Sequence, residues 1–175
     1  MLAEDDRDFD AIYSRYFPFV WRCLRGLGVT ESSLDDAAQD VFVVVHRRLA
    51  SFLGQSTLRT WLYGIVRNVA ANYRRTRQRR TTGHQSAPTA ELPSRGPGPV
   101  EQAQDAEAAR FIEAFLGRLD DKKRDLFILA LLEDLPIPEV AATLNVPLNT
   151  AYTRLRAVRA EFERALRRHG GPHAP

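Results

Sequence analysis

Residues 81–100 (TTGHQSAPTAELPSRGPGPV) crowd Pro, Gly, Ser and Thr together, and no apolar period runs through them. Such a stretch neither sustains a helix nor offers a face to a core, so it reads as a linker. On either side apolar residues recur at helical spacing, and nothing alternates as a strand would. The predicted fold is therefore all-α: two small helical bundles joined by a flexible linker, the C-terminal one a helix-turn-helix domain. The expected domains are residues 1–80 and 105–168, with a linker at 81–104 and a tail at 169–175.

In the first domain Phe9, Ile12, Tyr13, Tyr16, Val20 and Leu24 form a stripe over 8–27, punctuated by Gly26 and Gly28. A second helix, 34–50, turns Ala38, Val41, Phe42, Val45 and Leu49 to one face, and Ser33 with Asp36 approximates a capping box. A third, 58–80, gathers Leu58, Trp61, Leu62, Ile65, Val66, Val69 and Tyr73 on one stripe. Trp61 belongs to that core stripe, whereas Tyr63 lies nearer its polar boundary. Beyond the linker the period predicts helices over 105–117, 121–133, 138–144 and 148–168.

Several functional classes are disfavoured. The single cysteine, Cys23, cannot form an internal disulfide, and its helical setting suits buried filler. The N-terminus (MLAEDDRDFD) is acidic and unlike a signal peptide, and the longest apolar run (LFILALL) is far too short to cross a bilayer. A cytoplasmic protein is expected. His46, His84, His169 and His173 have no ligand spacing, and there is no phosphate loop, so no catalytic residue, metal or cofactor is expected.

The net charge of +3 says little, but its distribution says more. Residues 1–57 carry −3, 58–80 carry +7, 81–147 carry −5 and 148–175 carry +4. Each cationic block closes a helical segment. A single such block is commonly just a solvated face, but two of them favour a polyanionic partner.

The stretch IPEVAATLNVPLNTAYTRLRAVR has the layout of a helix-turn-helix. Val140, Ala141 and Leu144 face inward, Asn145 falls where a left-handed residue is needed, and Pro147 presets the following helix. On that helix Leu148, Ala151, Leu155, Val158 and Phe162 make the apolar stripe. Asn149, Tyr152, Thr153, Arg156 and Arg159 project away, a mixture suited to base edges, while Arg154, Arg159, Arg167 and Arg168 suit phosphates. The alternative is an amphipathic helix with a solvated arginine face.

Taken together these motifs resemble a known family. LDDAAQDVFVVVHRRLASF followed by STLRTWLYGIVRNVAANYRRTRQRR resembles region 2 of bacterial sigma factors of the extracytoplasmic-function (ECF) type, in the sigma-70 family. LDDKKRDLFILALLEDLPIPEVAATLNVPLNTAYTRLRAVRAEFERAL resembles region 4, in the family's order. The resemblance implies a promoter-specificity subunit whose partners are core RNA polymerase, promoter DNA and an anti-sigma factor, with no direct membrane insertion and no small-molecule substrate. It implies polymerase binding by Asp36, Gln39, Asp40, Val43 and Arg47. The minus-ten element would meet Phe52, Gln55, Ser56, Thr57, Arg59, Tyr63, Arg67, Asn68, Arg74 and Arg75, with melting and capture of a flipped base. The minus-35 duplex would meet Asn149, Thr150, Tyr152, Thr153, Arg154, Arg156 and Arg159.

The sequence departs from the family pattern at Asn145, where Gly is usual, and at Pro147, where a Ser cap is common. Tyr152 and Ala157 also stand at positions that are often basic. The rival reading is a stand-alone helix-turn-helix regulator that binds duplex DNA without polymerase. The arginine-rich helix of the first domain favours the sigma reading, since a simple regulator needs only one DNA-reading domain.

Overall fold

The computed structural model describes residues 8–83 and 99–169, with side chains over 8–79 and 106–169. Every regular element among them is helical: α1 (Phe9–Gly26), α2 (Glu31–Arg48), α3 (Leu58–Gly83), α4 (Pro99–Arg118), α5 (Asp121–Phe127), α6 (Ile137–Thr143) and α7 (Leu148–His169). A 3-10 turn, Leu49–Ser51, follows α2, and a π-helical turn, Ile128–Leu132, follows α5. The chain divides into two compact units, Met1–Ala114 and Phe115–Pro175, so the division falls inside α4.

Most of the expected linker lies outside the described residues, but both its margins are helical. Helix α3 runs to Gly83 because extending an existing helix needs no new nucleus. Helix α4 starts at Pro99, not at 105, since proline at a first helical position gives up only an N–H that would lack a partner anyway.

In the first unit α1, α2 and α3 pack against one another. Ile12, Val20 and Leu24 of α1, Leu34, Ala37, Ala38, Val41 and Val45 of α2, and Leu62, Val66 and Ala70 of α3 fill the space between them. Cys23 is buried there as packing. Asp8 caps α1 by accepting from the Asp10 amide, 3.2 Å. At the other end Gly28, at φ +85°, donates to the Arg25 carbonyl at 2.9 Å, and Val29 donates to Leu24 at 3.1 Å. This paired return satisfies orphan carbonyls and lets the buried Val29 close over Leu24.

The start of α2 differs from the sequence expectation. Its N-cap is Thr30, and Ser33 lies inside the first turn, donating its amide to the Thr30 carbonyl at 2.8 Å. The Ser33–Asp36 capping box does not form, because the helix begins before Ser33 and leaves no cap position there. Tyr13 is a second departure: its spacing puts it on the buried stripe, yet it is 42% exposed.

In the second unit α5 packs on α7, and α6 packs on α7 and on the π-helical turn. Phe115, Phe127 and Phe162 form a triangle with ring centroids 5.1–5.2 Å apart. Arg124 donates to the carbonyls of Leu116 (2.9 Å) and Leu119 (2.8 Å) at the end of α4, the first of which also accepts from the Leu119 amide at 3.1 Å. The expected helix over 121–133 is α5 plus the π-helical turn. Leu148, expected in the α7 stripe, is 43% exposed, because the buried face is set by Ala151, Leu155, Val158 and Ala165.

The turn between α6 and α7 follows the sequence expectation at Asn145, which has φ +51°. Its amide donates to Ala142 at 3.2 Å and that of Val146 to Ala141 at 3.0 Å, the same paired return that closes α1. Pro147 stands one residue before α7, its carbonyl accepting from the Ala151 amide at 3.1 Å, so it takes the capping position and not the first helical one. Asn145→Gly should leave the stability of this domain unchanged or raise it, and Asn145→Val should cost about 1–2 kcal/mol. Urea unfolding of the two variants measures the difference.

Candidate functional site

Helix α2 is buried on one side and charged on the other. Asp36, Gln39, Asp40, Val43 and Arg47 are all exposed on it, at spacings of three and four residues that form one row. Asp40 is tied across to α3: its Oδ2 accepts the phenol hydrogen of Tyr73 at 2.8 Å. Burial, then this bond and the negative charges of Asp40 and Asp36, push the Tyr73 pKa up to about 12. The phenol therefore stays a donor throughout the physiological range.

Beside this row lies an open groove that the sequence reading missed. Phe9, Tyr13, Phe17, Phe42 and His46 line it together with Gln39, Val43 and Arg47. Tyr13 and Phe42 lie 4.6 Å apart between ring centroids, and the His46 ring meets Phe9 edge-on at 5.1 Å. The signal was present as aromatic residues every fourth position: Phe9, Tyr13, Phe17 and Trp21. Spacing alone cannot tell a core stripe from a rim, which is why Phe9 and Tyr13 read as core in the sequence.

The loop between α2 and α3 is anchored at both ends. The Ser51 hydroxyl donates to the Arg48 carbonyl at 2.7 Å, and the Phe52 amide donates to Leu49 at 3.0 Å. Phe52 packs on Trp61, centroids 5.0 Å apart, so both rings are half-buried together. Thr57 caps α3 by accepting from the Thr60 amide at 3.2 Å. Gln55, Ser56 and Thr57 are exposed. Between Phe52 and Gly54 (φ +69°), Leu53 is 78% exposed, a loop residue that apolar periodicity could not flag.

Along α3, Arg59, Arg67, Asn68 and Arg75 are exposed and Arg74 is half-buried. The Arg59 guanidinium lies 5.8 Å from the Phe19 ring centroid, and Arg75 bonds the Asn72 side-chain carbonyl. Tyr63 requires a correction. It is 1% exposed, inside the three-helix core, and cannot touch DNA in this structure. Arg59 and Arg67, one turn away on either side, place it near the polar boundary in sequence, but helix packing and not local polarity decides which face is covered.

In the second unit Asn149, Tyr152, Thr153, Arg156 and Arg159 are exposed along α7, with Thr150 and Arg154 half-buried beside them. Tyr152 is 49% exposed and unsupported by the core. Thr153 donates its hydroxyl to the Asn149 carbonyl at 2.9 Å, so it contributes mainly its methyl group to the surface. Among the described residues no cluster of His, Cys, Asp and Glu could hold a metal ion, and no helix is long and apolar enough to cross a membrane.

The family model for Sigma-70 region 2 matches residues 12–80, and that for Sigma-70 region 4 matches residues 112–162. The RNA polymerase sigma factor NccH of Alcaligenes xylosoxydans xylosoxydans is 30% identical over 160 residues, covering 90% of this chain and 86% of that protein. The ECF RNA polymerase sigma factor SigM of Mycobacterium tuberculosis is 30% identical over 166 residues, covering 94% and 80%. This chain belongs to the sigma-70 family, as an ECF sigma factor.

A sigma factor directs RNA polymerase to promoters, and the two matched regions take in most of the arginine-rich helices α3 and α7. Among solved structures, the sigma factor RpoE in complex with the anti-sigma factor NepR from Bartonella quintana has a TM-score of 0.70 and 21% identity. The match covers 92% of this chain and 98% of that one, a likeness of fold.

Burial of the Tyr73 phenol, together with its bond to Asp40, makes the contribution of this side chain to stability fall at alkaline pH. Because the folded pKa is raised above the unfolded value of about 10, the stabilisation is fully present below pH 10 and is lost as pH rises toward 12. The stability difference between the wild type and Tyr73→Phe should therefore be constant below pH 10 and shrink above it. Urea unfolding across that range tests this, and a difference growing with pH would contradict it.

Proposed function

We propose that residues 1–80 bind core RNA polymerase and open the minus-ten element, while residues 105–168 read the minus-35 duplex. Support for the division comes from the separation of charge: cations dominate 58–80 and 148–175, and acids dominate 1–57. The exposed row Asp36, Gln39, Asp40, Val43 and Arg47 is the polymerase contact. A carboxylate row on a helix whose other face is locked in a core is a stiff partner for cations, and stiff surfaces lose little entropy on docking.

Phe52, Gln55, Ser56 and Thr57 border the captured base, and Arg59, Arg67, Asn68, Arg74 and Arg75 hold the strands. Unstacking costs a few kcal/mol per base, which aromatic stacking and phosphate contacts offset. On α7, Arg156, Tyr152, Asn149 and Thr153 face base edges, with Thr150 beside them, and Arg154 and Arg159 lie against phosphates. The protein carries no chemistry of its own in this scheme; bond formation belongs to the polymerase. It acts in the cytoplasm, where polymerase and promoter are.

An anti-sigma factor is the expected regulator. RpoE of Bartonella quintana, whose fold this chain shares, is held by one in its solved complex. The observation that carries the reading is the pair of cationic helices on separate units, which a regulator needing one DNA-reading domain does not require.

Asp40→Arg should weaken the affinity for core polymerase at least tenfold and leave duplex binding by α7 intact. Arg156→Ala and Tyr152→Ala should do the reverse, relaxing minus-35 discrimination by about 1–3 kcal/mol for Arg156 while core binding survives. Fluorescence binding to purified core enzyme and start-site mapping on a promoter library read both. If the wild type binds promoter duplex tightly without polymerase and adds no start-site specificity with it, the stand-alone regulator replaces this reading.

A further inference from the structure

We propose that Tyr73 is a positioning residue for polymerase docking, acting through Asp40. The inference rests on the assignment of Asp40 to the polymerase contact. Asp40 is exposed on α2, and an exposed aspartate on a helix ordinarily samples several rotamers. Here the Tyr73 phenol reaches it from α3, 33 residues away in sequence, and holds Oδ2 at 2.8 Å. Tyr73 is half-buried, so its ring is partly confined and the hydroxyl is delivered from the helix α3 side of the core.

One carboxylate offers two oxygens and about four acceptor sites. A bond from Tyr73 to Oδ2 therefore leaves acceptor capacity for a cation of the polymerase while selecting the rotamer that presents it. Asp36, one turn earlier, adds negative charge near the same phenol and helps keep it protonated. The bond also joins the helix that meets polymerase to the helix that meets the minus-ten strands. Removing the hydroxyl alone leaves the ring packing in place and releases the Asp40 rotamer.

The test is a double-mutant cycle on the full-length protein, reading affinity for purified core RNA polymerase with Tyr73→Phe, Asp40→Ala and the double variant. Thermal melts of each confirm that the helices remain folded. Tyr73→Phe should weaken core binding about fivefold in the wild-type background, less than the full worth of a hydrogen bond to a charged group because only the rotamer preference is lost, and change nothing in the Asp40→Ala background. Equal losses in both backgrounds would overturn the proposal, since Tyr73 would then act independently of Asp40. So would an unchanged affinity in Tyr73→Phe when Asp40→Ala is impaired. Wild-type affinity in Asp40→Ala would instead overturn the polymerase assignment of Asp40 itself. Asp40→Asn provides a second variant: it keeps an acceptor for the phenol but removes the charge, so it should lose core affinity while retaining sensitivity to Tyr73→Phe.

Discussion

Everything in the first unit depends on the double burial of α2, which packs on both α1 and α3. Leu34, Ala37, Ala38, Val41 and Val45 are almost wholly excluded from water along one side of this helix. The two adjacent alanines keep that side narrow, so neighbouring helices can approach closely while the larger residues fill the remaining space. A helix fixed on two sides has only one strip left for anything else. That strip carries Asp36, Gln39, Asp40, Val43 and Arg47, and the bond to Tyr73 lies at its edge.

The second unit reaches a comparable rigidity by other means. Its aromatic triangle of Phe115, Phe127 and Phe162 joins the end of α4, α5 and α7, so α7 is held well beyond its first turns. Arg124 satisfies carbonyls of Leu116 and Leu119, a use of a guanidinium that is structural and not DNA-directed. The left-handed Asn145 then sets the angle at which α7 leaves α6. With Ala151, Leu155 and Val158 turned inward, Asn149, Tyr152, Arg156 and Arg159 have to face out.

Sigma-factor function follows from these two scaffolds because each separates its core face from a face of defined charge. In region 2 the row on α2 and the cations on α3 occupy adjacent helices that share one core, so in the proposed scheme polymerase docking and strand capture would rest on the same support. Region 4 presents cations and hydrogen-bonding groups from one helix, as groove reading requires. The near-neutral total charge is the result of cancellation between segments of opposite charge.

The sequence by itself determined the helical class, the seven α-helices among the described residues to within a few residues at most ends, and the sigma-family motifs. These are carried by short-range period, by Gly and Asn at turns, and by local composition. Asn145 was legible because one left-handed position has few residue choices. What only the tertiary structure decided was which of several equally apolar faces would be covered. Tyr63 went into the core, Tyr13 and Leu148 to the surface, and the stripe Phe9, Tyr13, Phe17 became the wall of a groove. The start of α2 just after Thr30 and the Asp40–Tyr73 bond were likewise invisible in the chain, the second because its partners stand 33 residues apart. Periodicity reports that a helix has an apolar side; the neighbours that pack against it determine how wide that side is and where it ends.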